Sequence, residues 1–125
     1  MILDTNALSA LAGRDPALIR LLNDGEDPSL SFVAVAEFQF GLLGSTRPHA
    51  GFELLEQLAR SVPVIYPNAD TLPYYAAIAD QLKRAGRPIP HNDMWTGALA
   101  RQHSLPVVSR DRHFDWITGL QRLEW

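Results

Sequence analysis

Ile89-Pro90-His91-Asn92-Asp93-Met94-Trp95-Thr96-Gly97-Ala98-Leu99-Ala100-Arg101-Gln102-His103-Ser104-Leu105-Pro106-Val107-Val108-Ser109-Arg110-Asp111 reads as loop, helix, turn, strand and polar loop. Asn92 or Asp93 can cap the helix start, because a short side-chain oxygen satisfies free backbone N–H groups there. Met94, Ala98, Leu99 and Ala100 give it a mostly apolar face at helical spacing. Ser104 closes the helix region, and Leu105-Pro106-Val107-Val108 is a short apolar run bounded by turn signals, as in a buried strand. In a layered α/β fold the helix leaves the carboxyl edge of the sheet and the next strand climbs back to it. A residue in the first helical turn and one just past the strand then meet, and Asp93 and Asp111 hold those two places.

Outward from this unit, the chain repeats the pattern. Toward the amino terminus, Met1-Ile2-Leu3 is a short apolar run ending at Asp4, and Ala7 to Ala12 is helical until Gly13. Asp15-Pro16 opens a second helix, reaching about Asn23, by a capping acid and a first-turn proline. Residues 29–33 read as a strand, and 34–43 as a helix stopped by Gly44. That helix is apolar nearly all round, which predicts burial. Its one acid, Glu37, is placed in the first turn, and Glu37, Gly41 and Gly44 share a face, which predicts close approach by another element. After a loop at 46–48, the pattern predicts a helix over 51–60, a strand over 62–66 and an amphipathic helix over 70–85 closed by Gly86. Past Asp111, residues 112–116 are irregular or helical and 120–125 form a last strand. Strands alternating with helices signify a mainly parallel sheet covered on both faces.

The 125 residues are enough for one domain, 1–125, with a real core. A hydrophobic content of 46% with 20% charged residues fits a globular protein rather than a disordered one. Cysteine is absent, which removes disulfides and thiolate metal sites and is compatible with a cytoplasmic location. The amino terminus lacks a basic region followed by a long apolar stretch, so no signal peptide is expected, and no apolar run is long enough to span a membrane. The net charge of −3 excludes a generally basic surface for nucleic acid. Positive charge comes almost entirely from arginine, Lys83 being the one lysine, and arginine can hold phosphate bidentately at a local site.

Asp4, Glu37, Asp93 and Asp111 therefore fall at equivalent stations along the carboxyl edge, where open α/β sheets place their ligands. Carboxylates brought into one pocket repel and raise each other's pKa. A divalent cation is the simplest offset, and all-oxygen ligation selects a hard ion such as Mg²⁺ or Mn²⁺. Such a site suits phosphodiester hydrolysis by activated water, with no protein nucleophile. Each acid alone has a plainer reading: Asp4 as a helix cap, Glu37 as a dipole partner. Arg110 and Arg112 read as phosphate ligands or as solvated charges. His91 reads as an exposed loop histidine and His103 as a complement to a helix carboxyl end. Trp95, Trp116 and Trp125 read chiefly as packing residues.

Leu3-Asp4-Thr5-Asn6, Val35-Ala36-Glu37, Asn92-Asp93 and the run from Val108 to Phe114 together resemble the PIN-domain ribonucleases, most closely the VapC-type toxins of bacterial toxin–antitoxin pairs. The resemblance spans essentially the whole chain in order and length. It implies a three-layer α/β/α PIN-like fold, metal-dependent endoribonuclease activity on RNA, a homodimer, and inhibition by a cognate antitoxin. Asp4, Glu37, Asp93 and Asp111 match the family's acidic positions, and Asn6 and Ser109 match polar positions that orient the site. Many relatives carry a second acid where this chain has His113; Asp115 stands nearby as a substitute, with Asp111 preferred because it directly follows the strand. Two other readings compete. One is a phosphatase of the haloacid-dehalogenase type with Asp4 as nucleophile, against which stands Asn6 at the position of the expected general acid. The other is a catalytically inactive PIN-like interaction module.

Overall fold

The strand β1, Ile2–Leu3, is two residues long, and its alternation sets the layers of the molecule. Ile2 packs on one side with Val107, Ile78, Leu99 and Phe114. Leu3 packs on the other with Leu30, Val108, Leu8 and Leu18. The computed structural model describes residues Met1–Trp125. After β1 come α1 (Thr5–Ala12), α2 (Pro16–Asp24), β2 (Ser29–Ser31), α3 (Phe32–Leu43), α4 (Pro48–Ser61), β3 (Val64–Ile65), α5 (Thr71–Arg84), α6 (His91–Gln102), β4 (Val107–Val108), a 3-10 helix (Arg112–Trp116) and β5 (Arg122–Leu123).

The five strands form one sheet in the order β3-β2-β1-β4-β5, and every neighbouring pair is parallel. Helices cover both faces, α5 and α6 on the Ile2 side and α1, α2 and α4 on the Leu3 side, so the expected three-layer α/β/α architecture is present. The chain steps outward from β1 to β2 to β3, then returns to lay β4 against the opposite edge of β1. The order reverses between β1 and β4, and a crevice opens at the carboxyl ends of strands at such a point. Helix α6 reaches this crevice by packing tightly against α5 and the segment after the 3-10 helix. A Cβ on Gly97 would stand 2.7 Å from the Ile117 Cδ1 atom, so only glycine admits that approach without displacement.

Several local expectations are corrected. The strand predicted over 29–33 stops at Ser31, and Phe32 and Val33 already belong to α3. Ser31 does not cap that helix with its side chain; its hydroxyl is paired with Thr96 Oγ1 at 3.0 Å, both residues being buried. Glu37 consequently lies in the second turn of α3, not the first. Neither Asn92 nor Asp93 caps α6: Pro90 occupies the cap position, and both side chains reach across to other elements. Helix α4 begins at Pro48, where proline fills a first-turn position whose N–H would be unpaired anyway. Helix α3 is buried only at its start, since Phe40 is 78% and Leu43 72% exposed. The close approach expected on its Glu37–Gly41–Gly44 face is made at Glu37, by Thr5 and Asn92, but not at Gly41, where a Cβ would meet nothing within 4 Å.

Candidate active site

Asp4 ends β1 and caps α1 at once. Its Oδ1 accepts the Ala7 N–H at 2.8 Å, the ordinary role of a capping acid. Its Oδ2 is turned to β4, where it accepts the Ser109 hydroxyl and, at 3.2 Å, the Asn6 side-chain amide. The plain and the functional readings of Asp4 are thus one geometry. The carboxyl is buried, at 5% exposure. Burial pushes its pKa above 3.8; the bonds from Ser109, Ala7 and Asn6 oppose the rise, and the charge of Asp111 adds to it.

Asp93 projects from the first turn of α6, and Asp111 follows β4. Between them stands the His113 imidazole, its Nδ1 3.2 Å from Asp93 Oδ2 and 3.1 Å from Asp111 Oδ1. The 3-10 helix makes this possible: Asp111 caps it by accepting the His113 N–H at 2.9 Å, which folds residue 113 back over its own cap. Ligand atoms of Asp93, Asp111 and His113 all lie within 4.8 Å of one another. Burial raises the Asp93 carboxyl above 3.8; the hydrogen bond to His113 counters that rise, and the charges of Asp111 and Asp4 reinforce it. The mutual effects place Asp4, Asp93 and Asp111 in one electrostatic group at the reversal point of the sheet.

Glu37 joins from the side. Its Oε1 accepts the Asn92 amide at 2.7 Å and its Oε2 accepts the Thr5 hydroxyl, so one carboxylate ties α3 to the first turns of both α6 and α1. The residues it holds are the chain neighbours of Asp93 and Asp4. Asp115 does not join the cluster. It faces β5 in a two-pronged pair with Arg122, at 2.7 and 3.0 Å, which holds its carboxyl below the usual range. The position that the sequence treats as a departure, His113, is the one that converges with Asp93 and Asp111. The signal available was its spacing two residues after a capping acid. His91 is the first residue of α6 and pairs with Tyr75 Oη at 2.7 Å. Trp95 packs against Tyr75 and Phe32, as expected of a packing aromatic.

A family model described as PIN domain matches residues 1–120. The chain belongs to the PIN-domain family. Ribonuclease VapC1 of Haemophilus influenzae (strain R2866) is 31% identical over 129 residues, covering 99% of this chain and 96% of its own. Toxin FitB of Neisseria gonorrhoeae is 33% identical over 124 residues, covering 89% of this chain and 87% of its own. The solved structure of VapBC-1 from nontypeable Haemophilus influenzae superposes with a TM-score of 0.87 at 29% identity, covering 99% of this chain and 96% of that one. In this PIN domain the donor set fits a divalent cation: the Asp93 and Asp111 carboxylates converge, with an imidazole beside them and a third, buried carboxylate adjacent. The phosphatase alternative finds no support, because the Asn6 amide donates to Asp4 and has no acidic proton to give a leaving group.

Proposed function

We propose that this chain is a divalent-metal-dependent endoribonuclease, a single nuclease domain over 1–125 acting as the toxin of a toxin–antitoxin pair. The observation that carries this reading is the convergence of Asp93, Asp111 and His113 beside buried Asp4, at the sheet's reversal point, in a chain 31% identical to a ribonuclease VapC1. Asp4, Asp93 and Asp111 would hold Mg²⁺ or Mn²⁺, with Glu37 at the margin of the site. Such an ion, when bound, offsets the carboxylates and activates water toward a phosphodiester. The residues of the chain do the rest. Ser109 and Asn6 hold the second oxygen of Asp4 toward the crevice. Glu37 fixes Thr5 and Asn92, so that Asp4 and Asp93 keep their spacing. His113 bridges the two more open carboxylates and can hold or pass a proton there.

The substrate is RNA. The protein partners are a cognate antitoxin and a second copy of the chain, and the working compartment is the cytoplasm; no helix is long and apolar enough to cross a membrane. Support for a protein partner comes from the exposed Phe40, Leu43, Tyr66 and Leu72, large apolar side chains that a monomer leaves in water. It also comes from the relative VapBC-1. The test is cleavage of RNA by purified protein with Mg²⁺ or Mn²⁺. Chelation, Asp4→Asn or Asp93→Asn should each abolish cleavage while the circular dichroism spectrum stays native. Cleavage that survives chelation and both substitutions would remove the mechanism.

A further inference from the structure

Beside the acidic cluster lies a pocket of about 550 Å³ that the proposed chemistry does not use. Asn6, whose amide donates to Asp4, lines it, and so does Arg110, between Ser109 and Asp111. Arg14, Asp15 and Trp125 line it as well. Asp15 is fully committed. Its Oδ1 caps α2, accepting Ala17 and Leu18 amides at 2.9 and 3.3 Å. Its Oδ2 accepts Arg110 Nη2 and Trp125 Nε1, each at 3.2 Å. Arg110 is further fixed over the Trp125 ring, 4.4 Å from its centroid. Arg14 lines the same space and pairs with no carboxylate. Two guanidinium groups thus face one already engaged carboxylate, in a chain whose net charge is −3.

The backbone adds a second observation. Arg14 adopts φ 57, the left-handed conformation that a helix end usually assigns to glycine. The glycine of this turn, Gly13, sits one residue earlier at φ −77. An arginine therefore occupies a position that its backbone would cede to glycine, and its exposed side chain lines the pocket.

We infer that this pocket is a phosphate subsite, in which Arg14 and the Trp125-braced Arg110 hold a backbone phosphate of the RNA strand beside the one that is cut. The inference rests on the ribonuclease reading for its ligand. Arginine suits the task because its planar fork matches phosphate oxygens, and such contacts position a strand without reading its sequence. The shared lining residue Asn6 makes the subsite continuous with the acidic centre, so a strand seated on the arginines is led across Asp4, Asp93 and Asp111.

The test is fluorescence anisotropy with a labelled single-stranded RNA, on full-length chains carrying Asp93→Asn to hold cleavage off. Adding Arg14→Gly should weaken binding about tenfold at low salt. It should also lower the slope of log affinity against log salt by about 0.7, the value for one phosphate contact on a single strand. Arg14→Gly suits its backbone, so the melting temperature should hold or rise, and Arg14→Lys should restore most of the salt slope. Unchanged affinity and slope would overturn the subsite. So would inorganic phosphate competing as strongly as the RNA, or a loss confined to antitoxin binding. In the same preparation without Asp93→Asn, kcat/KM for RNA separates the two claims. RNA bound through Arg14 but never cut keeps the subsite and removes the nuclease. RNA cut equally well by wild type and Arg14→Gly removes the subsite alone.

Discussion

The Ser109 hydroxyl donates to the Asp4 carboxylate, while its oxygen accepts the Asp111 backbone N–H at 2.8 Å. One side chain therefore joins the ends of β1 and β4 and sets two acids relative to each other. Ser109→Ala should leave the fold intact at a cost on the order of 1 kcal/mol, since one buried hydrogen bond is lost. Its larger effect should be on the ion. Groups that orient a metal ligand are worth roughly 10–100-fold in affinity. Calorimetric titration with Mn²⁺ should show a weakening in that range, and an unchanged dissociation constant would show that Asp4 needs no such anchor.

The raised carboxyls of Asp4 and Asp93 fix a sign for the pH dependence of the metal-free protein. Both bind their proton more tightly folded than unfolded, above the ordinary value of 3.8. Their contribution is fully stabilising below that value and is lost as pH rises through the folded pKa values. Asp15 and Asp115 act in the opposite sense, but their lowered carboxyls titrate below 3.8, outside this window. In chelator, the melting temperature should therefore rise as pH is lowered from neutrality toward the ordinary carboxylate range. In Asp4→Asn that rise should shrink, and the variant should match or exceed wild type at neutral pH. Saturating Mn²⁺ should flatten the wild-type profile. A metal-free melting temperature that falls steadily from neutrality would contradict the assignment.

Helix α6 is held to the sheet edge by the buried Ser31–Thr96 pair. Thr96→Val strands the Ser31 hydroxyl without a partner and should cost about 1–3 kcal/mol, the penalty of an unsatisfied buried group. Ser31→Ala with Thr96→Val removes both polar groups and should recover most of the loss. Urea titration of the two singles and the double closes the cycle; strict additivity would mean that the hydroxyls do not interact.

The exposed carboxyl half of α3 makes the dimer testable. Phe40→Asp places a charge in what is proposed as the shared apolar surface. It should weaken self-association by at least about 2 kcal/mol, the cost typical of a lost anchor residue. Sedimentation velocity over a range of concentrations reads this directly, and thermal stability of the monomer should not fall, because Phe40 is 78% exposed. An unchanged sedimentation coefficient would move the interface elsewhere.

The sequence carried the station of each acid better than its partners. Asp4 and Asp111 are legible because each follows an apolar run, Asp4 at once and Asp111 after Ser109 and Arg110, and a parallel sheet sends such residues to one edge. Asp93 is legible as a first-turn acid; the cap that the sequence offers to Asn92 or Asp93 goes to Pro90, which leaves the Asp93 carboxylate for His113. The sequence places Glu37 one turn too early, because β2 ends at Ser31 rather than Val33 and nothing local marks that end. The Ser31 hydroxyl that would signal a cap is spent on Thr96, 65 residues away. Asp115 stands apart from the cluster for a similar reason. Arg122 is remote in pattern but adjacent across the turn into β5, and it claims the carboxylate in a two-pronged pair. The left-handed Arg14 was invisible, since Gly13 beside it explains the helix stop equally well by composition.

The place of β1 between β2 and β4 also governs when the molecule comes into being. Asp4 and Ser109, which seats its carboxylate, stand 105 residues apart in the chain, and Asp111 lies just beyond Ser109. The acidic centre is thus a product of long-range closure: until β4 seats beside β1, Asp4 and Asp111 belong to separate stretches of chain.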